Sequence, residues 1–354
     1  MPRIIQPVVS PRGRIIVLTG ATLWLIAAMV LSATPDGVRA STGDVTRTFA
    51  TNIVHSLDEL DGAPGILYYP RVATDALGRA YVADEGQHHV VRLAADLRTA
   101  ETVFGREGAG PGELRMPHDV ATDSKGNVFV ADLELNRIIK FADDGTFVRQ
   151  IAAPGAASLL VDSQDRLIAY PAPGTALLQR YDNDLDEIDT LLEKPDPKRY
   201  RSSLGVLLAM GRDDHLYVLD QAGPTLSVYD REMNRVDEWN VEPPQLRESI
   251  DAHLETMRKR MPEGYTAHWN GIQSMAIDPS GQLLAFFYLV KESPDVKYTQ
   301  VAWYQVDGTR LWVEKRSGKV LSGALLPGGH MVEGNAEEVF VRKLQTTPTT
   351  SGNN

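Results

Sequence analysis

Phe104-Gly-Arg-Glu-Gly-Ala-Gly-Pro-Gly112 opens the stretch that decides the fold. It continues as Met116-Pro-His-Asp-Val-Ala-Thr-Asp123, Gly126-Asn-Val-Phe-Val-Ala-Asp132, Asn136-Arg-Ile-Ile-Lys-Phe141 and Asp144-Gly145, and ends at Ile151. Short β-type runs alternate with turn chemistry: Gly126 supplies the positive φ that a tight Asp-x-x-Gly turn requires. Read in order, this is a complete four-stranded antiparallel sheet, with a glycine-rich linker in front of it. The linker lacks the Lys-Ser/Thr of a phosphate-binding loop and opens no helix.

The unit recurs along the chain. Asp75-Ala-Leu-Gly78 precedes Ala80-Tyr-Val-Ala-Asp84, and Asp162-Ser-Gln-Asp165 precedes Leu167 to Tyr170. Gly211-Arg-Asp-Asp214 precedes Leu216 to Asp220, Asp278-Pro-Ser-Gly281 precedes Leu283 to Phe287, and Pro327-Gly-Gly329 precedes Met331-Val332. Asp165 and Asp214 take the glycine position, which aspartate tolerates better than most residues. Sheet-forming repeats of about fifty residues predict an all-β protein, a six-bladed β-propeller of four-stranded antiparallel blades. The segment Val45 to Leu57 has no partner of its own, and it is expected to supply the outer strand of the last blade and so close the ring.

The motif in blade two resembles an NHL repeat, and the chain as a whole resembles the NHL-type six-bladed propellers. The likeness is sharpest over residues 104–151, good over 70–104, and fades in the later blades. Such families include binding modules and enzymes, so the resemblance implies a fold without fixing a function. Among the enzymes, propellers resembling peptidyl-amidating lyases or lactonases imply a metal-dependent lyase or hydrolase, with zinc or calcium in the channel.

The rhythm breaks once. After Pro243-Pro244, Leu246, Ile250, Leu254, Met257 and Met261 recur at helical spacing, and Pro262 and Gly264 end the pattern. A helix over 245–260, within an insertion spanning 241–270 between blades four and five, is predicted. It is expected either to cap the channel mouth or to pack on the rim.

Residues 1–40 differ in character from the rest. Arg3, Arg12 and Arg14 precede an uncharged, mostly apolar run from Ile15 to Ala33, and Val38-Arg-Ala40 offers a signal-peptidase site. A signal peptide or an uncleaved N-terminal membrane anchor is expected, and either places the propeller (41–345) in the periplasm or outside the cell. Residues 346–354, rich in Thr, Ser, Gly and Asn, are expected to form a disordered tail. Cysteine is absent, so no disulfide is available. The first forty residues carry +3 of the chain's net −11, which leaves −14 for the remainder. That balance argues against nucleic acid as a partner, and leaves membrane contact to the N-terminal segment.

Aligning the blades on their turn aspartates gives two columns at the inner strands' first ends. One holds Pro70, His118, Ala157, Val206, Gln273 and Leu321; the next holds Arg71, Asp119, Ser158, Leu207, Ser274 and Ser322. One histidine in six does not make a zinc site, and His215 and His330 fall at the opposite end of the strands. His88, His89 and His268 remain near the same mouth with no spacing that singles them out. Only Asp119 and Gln273 suit calcium, which takes about 6–8 oxygens. No cofactor is therefore expected. Arg71 and Asp119 either lock two blades as an ion pair or, with His118, Gln273 and Trp269, bind a ligand at the channel mouth. Asp84, Asp132 and Asp220 repeat at the end of the second strand and read as turn caps. Lys198, Arg199 and Arg201 around Tyr200 form the densest basic cluster in the crossing loops. The expected function is a binding or scaffolding module for a peptide, protein or polar small molecule.

Overall fold

The computed structural model describes residues 8–9, 15–16, 48–57, 59–64, 70–75, 77–170, 175–194, 206–211, 213–220, 225–241, 255, 259, 272–278, 280–291, 297–316, 320, 322–334 and 339–347. Two units separate, residues 1–45 and 46–354. In the first, Val8–Val9 pairs antiparallel with Ile15–Ile16. The rest of the expected leader lies outside the described residues. Among those described, no helix is long and apolar enough to cross a membrane. The predicted helix over 245–260 also lies outside them, except for Glu255 and Lys259, which are helical and paired at 2.7 Å.

The second unit holds six four-stranded antiparallel sheets, the first five running in chain order from the inner strand outward. The inner strands are Arg71–Thr74, Pro117–Thr122, Ser158–Val161, Val206–Met210, Ile272–Ile277 and Ser322–Leu326. Each touches the next, and the sixth touches the first, so the ring is closed. Closure comes from the two ends of this unit. The sixth blade takes its outer strand from Thr48–Ser56, which pairs antiparallel with Val339–Thr347 from Phe340↔Ser56 to Thr347↔Thr48. Thr346 and Thr347 thus belong to a strand.

The core is six wedges, one between each pair of neighbouring blades, with no single centre. Period-two alternation divides each buried strand between two wedges. In Val128–Asp132, Phe129 and Ala131 pack toward blade three, while Val128 and Val130 pack toward blade one. The second strands therefore read as almost unbroken hydrophobic runs, since both of their faces are covered.

At the end of the inner strands away from His118, the turn aspartates repeat one arrangement. Asp123 accepts the Lys125 and Asn127 amides at 2.9 and 2.8 Å, and Asp162 accepts those of Gln164 and Arg166 at 3.0 Å. The two aspartates that replace glycine, Asp165 (φ 59°) and Asp214 (φ 60°), are in the left-handed region as expected. They also tie blades together. Asp165 accepts the Ser124 amide and hydroxyl at 2.8 and 2.7 Å, and Asp214 accepts those of Ser163 at 2.8 and 2.6 Å. Burial opposes ionisation of Asp214, but Ser163 and Arg231 outweigh it and hold its carboxyl below the usual range.

Asp165 therefore exchanges backbone comfort for a pair of inter-blade bonds, and its substitutions separate the two. Asp165→Gly loses the bonds but relaxes the turn, and should lower stability by about 1 kcal/mol. Asp165→Ala loses the bonds and keeps the left-handed strain, a total of about 2 kcal/mol or more. Urea-unfolding midpoints should fall in the order wild type, Asp165→Gly, Asp165→Ala.

Candidate functional site at the channel mouth

The inner strands enclose a central cavity of about 700 Å³. Arg71, Glu85, His118, Asp119, Ser158 and Gln273 are among the residues lining it, so polar side chains from blades one, two, three and five reach one space.

Two of them sit on distortions. The inner strand of blade two pairs regularly from Asp119↔Ala131 to Thr122↔Val128, but the register slips between Pro117 and Asp119. The inner strand of blade five slips in the same way between Ile272 and Ser274. The extra residues are His118 and Gln273. A bulge turns a side chain out of the alternating pattern, and bulges gather beside functional sites. The other four inner strands pair with their neighbours without interruption. In a ring of six, blades two and five stand opposite each other, so the two bulges face across the channel.

His118 is half-buried, and its Nδ1 lies 2.6 Å from Glu85 Oε1. Glu85 is 9% exposed and follows Asp84 in the turn between the second and third strands of blade one. The pair bridges two blades and fixes the imidazole orientation, leaving Nε2 with no hydrogen bond among the described residues. Sequence reasoning missed Glu85. It stands in no repeating column, since Leu133 and Gln221 follow the equivalent aspartates.

Arg71 and Asp119 stand at equal heights, opposite Ala83 and Ala131 in their blades. Of the two readings offered for them, the blade-locking ion pair is not formed among the described residues. Asp119 turns to blade three instead, where its Oδ2 accepts the Leu159 amide at 2.7 Å. Burial pushes its carboxyl up, against the attraction of Arg71, the Leu159 amide and His118. Arg71 has neither a hydrogen bond nor an ion pair among the described residues, and attracts Asp119 only at longer range.

The remaining candidates sort differently. Trp269, His268 and the Lys198–Arg201 cluster lie outside the described residues. His88 Nδ1 is bonded to the Arg115 carbonyl at 2.6 Å, and His89 is buried, which holds its imidazole below the usual range. His215 sits beside Asp213 at 2.7 Å, at the far end of the strands. Asp84 accepts the Gly86 and Gln87 amides, and Asp132 those of Leu135, Arg115 and Met116, which is capping chemistry. Arg137 donates to the carbonyls of Ala109, Gly110 and Glu113 and so pins the glycine-rich linker. Among the described residues, no group of three or more His, Asp or Glu is placed to hold a metal ion.

The family description "NHL repeat" matches residues 114–141. The chain carries an NHL repeat within a six-bladed β-propeller. That repeat contains His118 and Asp119 at the mouth as well as the structural Asp132 and Arg137. A RING finger protein, nhl-1 of Caenorhabditis elegans, is 43% identical over 61 residues, 17% of this chain and 6% of that protein. The protein lin-41 of the same organism is 47% identical over 45 residues, 13% of this chain and 4% of its own length. The chain thus spans only a small part of these curated relatives. Among solved structures, a DUF4221 family member from Bacteroides vulgatus superposes with a TM-score of 0.60 at 12% identity, covering 86% of this chain and 100% of its own. A streptogramin B lyase superposes at 0.51 with 10% identity, with the same coverages. At these identities the likeness is one of fold.

The raised Asp119 carboxyl carries a signature in stability. A carboxyl whose folded pKa lies above its unfolded value favours folding at low pH, and that advantage is lost as pH rises through the folded value. Asp119→Asn keeps an acceptor for the Leu159 amide and removes the buried charge. It should melt higher than wild type at pH 7, and the gap should close below about pH 4. Melting temperatures measured across that range check it.

Proposed function

We propose that this propeller is a binding module whose ligand, a polar small molecule or a peptide or protein segment, enters the channel mouth between blades one, two and five. The observation that carries this reading is the convergence of Arg71, the Glu85-oriented His118, Asp119 and Gln273 on one cavity. Cavities of about 300–1,000 Å³ with a few convergent polar groups are the usual form of a small-ligand site. The raised Asp119 carboxyl and the donor-rich Arg71 are the kind of groups that a site concentrates, and packing alone does not require them. On the reading of residues 1–40, the module works outside the cytoplasm, in the periplasm or beyond.

A second reading, a lyase or hydrolase, draws on the His118–Glu85 pair, since a carboxylate that orients an imidazole is a recurrent general-base arrangement. Its metal-dependent form has no ligand set among the described residues. It predicts stoichiometric zinc or calcium in the purified protein, lost in His118→Ala.

The binding reading is tested by thermal-shift titration against dipeptides, hydroxy acids and monosaccharides. Ligand at about 100 times its Kd adds about 2.7 kcal/mol to stability, so at least one class should raise the wild-type melting temperature by a few degrees. The Arg71→Ala/His118→Ala protein should keep a single cooperative unliganded transition, lowered by the loss of the Glu85–His118 bond, and lose that rise. A rise that survives the double substitution removes the site.

A further inference from the structure

The channel has a polar wall and an apolar wall, and the geometry of a six-membered ring sets them face to face. Register fixes height: Arg71 pairs with Ala83, Asp119 with Ala131, Ser158 with Tyr170, Leu207 with Leu219 and Ser274 with Phe287. These positions form one tier around the mouth. Blades one and four are opposite, so Arg71 looks across at Leu207. The inner strand of blade four, Val206–Met210, carries no polar side chain, and its Leu207 and Met210 are only half-buried. Leu160 of blade three, also half-buried, extends that wall.

The charges on the polar wall are unequally engaged. Glu85 is bonded to His118 and Asp119 to the Leu159 amide, whereas Arg71 has no such bond among the described residues. A guanidinium offers five N–H donors in a planar fork that matches a carboxylate in two parallel bonds. The neighbouring Glu85 and Asp119 disfavour a doubly charged group such as a phosphate and suit a single negative charge. His118, whose Nδ1 gives its proton to Glu85, adds a further bond from Nε2 when the ring is doubly protonated.

We infer that the channel binds a small amphiphilic carboxylate, with its acid group on Arg71 and its apolar body against Leu207 and Met210. This rests on the binding reading above and names the ligand class for the same mouth. The cavity, about 700 Å³, accommodates a body of this kind. Recognition is divided: the charge selects through one side chain, and the length of the apolar body selects through the opposite blade.

Calorimetric titration with acetate, butanoate, hexanoate, octanoate and hexanamide tests both halves. Each added CH₂ should tighten binding by about three- to fourfold, and hexanoate should bind at least about tenfold tighter than hexanamide. Arg71→Met should bring hexanoate down to the level of the amide. Arg71→Lys, which keeps the charge, should retain a preference for the acid. Leu207→Asn should flatten the dependence on chain length and leave the preference for acid over amide. Equal binding of acid and amide, a preference that survives Arg71→Met, affinity independent of chain length, or no binding by any of the acids would each overturn the inference. A sugar or dipeptide that stabilises wild type but not Arg71→Ala/His118→Ala, with the acids inactive, overturns the inference and leaves the mouth as a site. Failure of every probe to depend on Arg71 and His118 removes both.

Discussion

One strand pairing holds the ring together: Thr48–Ser56 against Val339–Thr347. Residues nearly three hundred positions apart complete the sixth blade, and with it the contact between the sixth and first inner strands. Without that pairing the sixth sheet would end on a bare edge, and the wedge formed by Leu57, Val82, Val91, Val332 and Val341 would lose its fixed frame. The loop-closure entropy of so long a span grows only logarithmically, while the pairing and the wedge grow with every residue added. Six equivalent wedges then share the work of a single hydrophobic core, which suits a chain that has no disulfide to rely on.

A closed ring also explains why the site is where it is. Each blade contributes one tier position to the mouth, and identities there are free to vary because the wedges, not the channel, carry the packing. Blades one and two carry the charged Arg71 and Asp119 there, blades three and five the small Ser158 and Ser274, and blade four the apolar Leu207; blade five adds Gln273 at its bulge. The bulges at His118 and Gln273 interrupt ladders that are otherwise regular, at the two blades that face each other. Asp119 illustrates the balance. It gains a backbone amide from blade three, and its position still opposes ionisation. A core chosen for stability alone would place an uncharged residue there.

Much of this was legible in the residues themselves. The Asp-x-x-Gly turns and their Asp substitutes marked the blades, because a tight antiparallel turn demands a left-handed position and only Gly, Asp and Asn meet it cheaply. Counting back from those turns placed Arg71 and Asp119 at one height, and the register agrees. The repeated Asp84 and Asp132 read as caps for the same reason that they repeat. The rest was hidden by non-local geometry. Glu85 has no repeating partner and becomes meaningful only when blade one's turn meets blade two's bulge. Asp119 looked like a partner for Arg71 because adjacency in a column cannot reveal the nearer Leu159 amide. Blade five hid a further irregularity: the Asp278 amide bonds to the Leu283 carbonyl, where the Asp123 amide bonds to the Asn127 carbonyl, so its turn is one residue longer.

Hydrogen exchange across the closing pair shows whether Thr48–Ser56 seals the ring. If Thr48–Ser56 seals the ring, the amides it donates to Val339–Thr347 should be protected together with those of Val339–Thr347 and His330–Gly334 in blade six, and all should open with the global unfolding free energy. Rapid exchange of the 48–56 amides that face Val339–Thr347, with the other five blades still protected, would contradict the closure and remove the basis for the tier at the channel mouth.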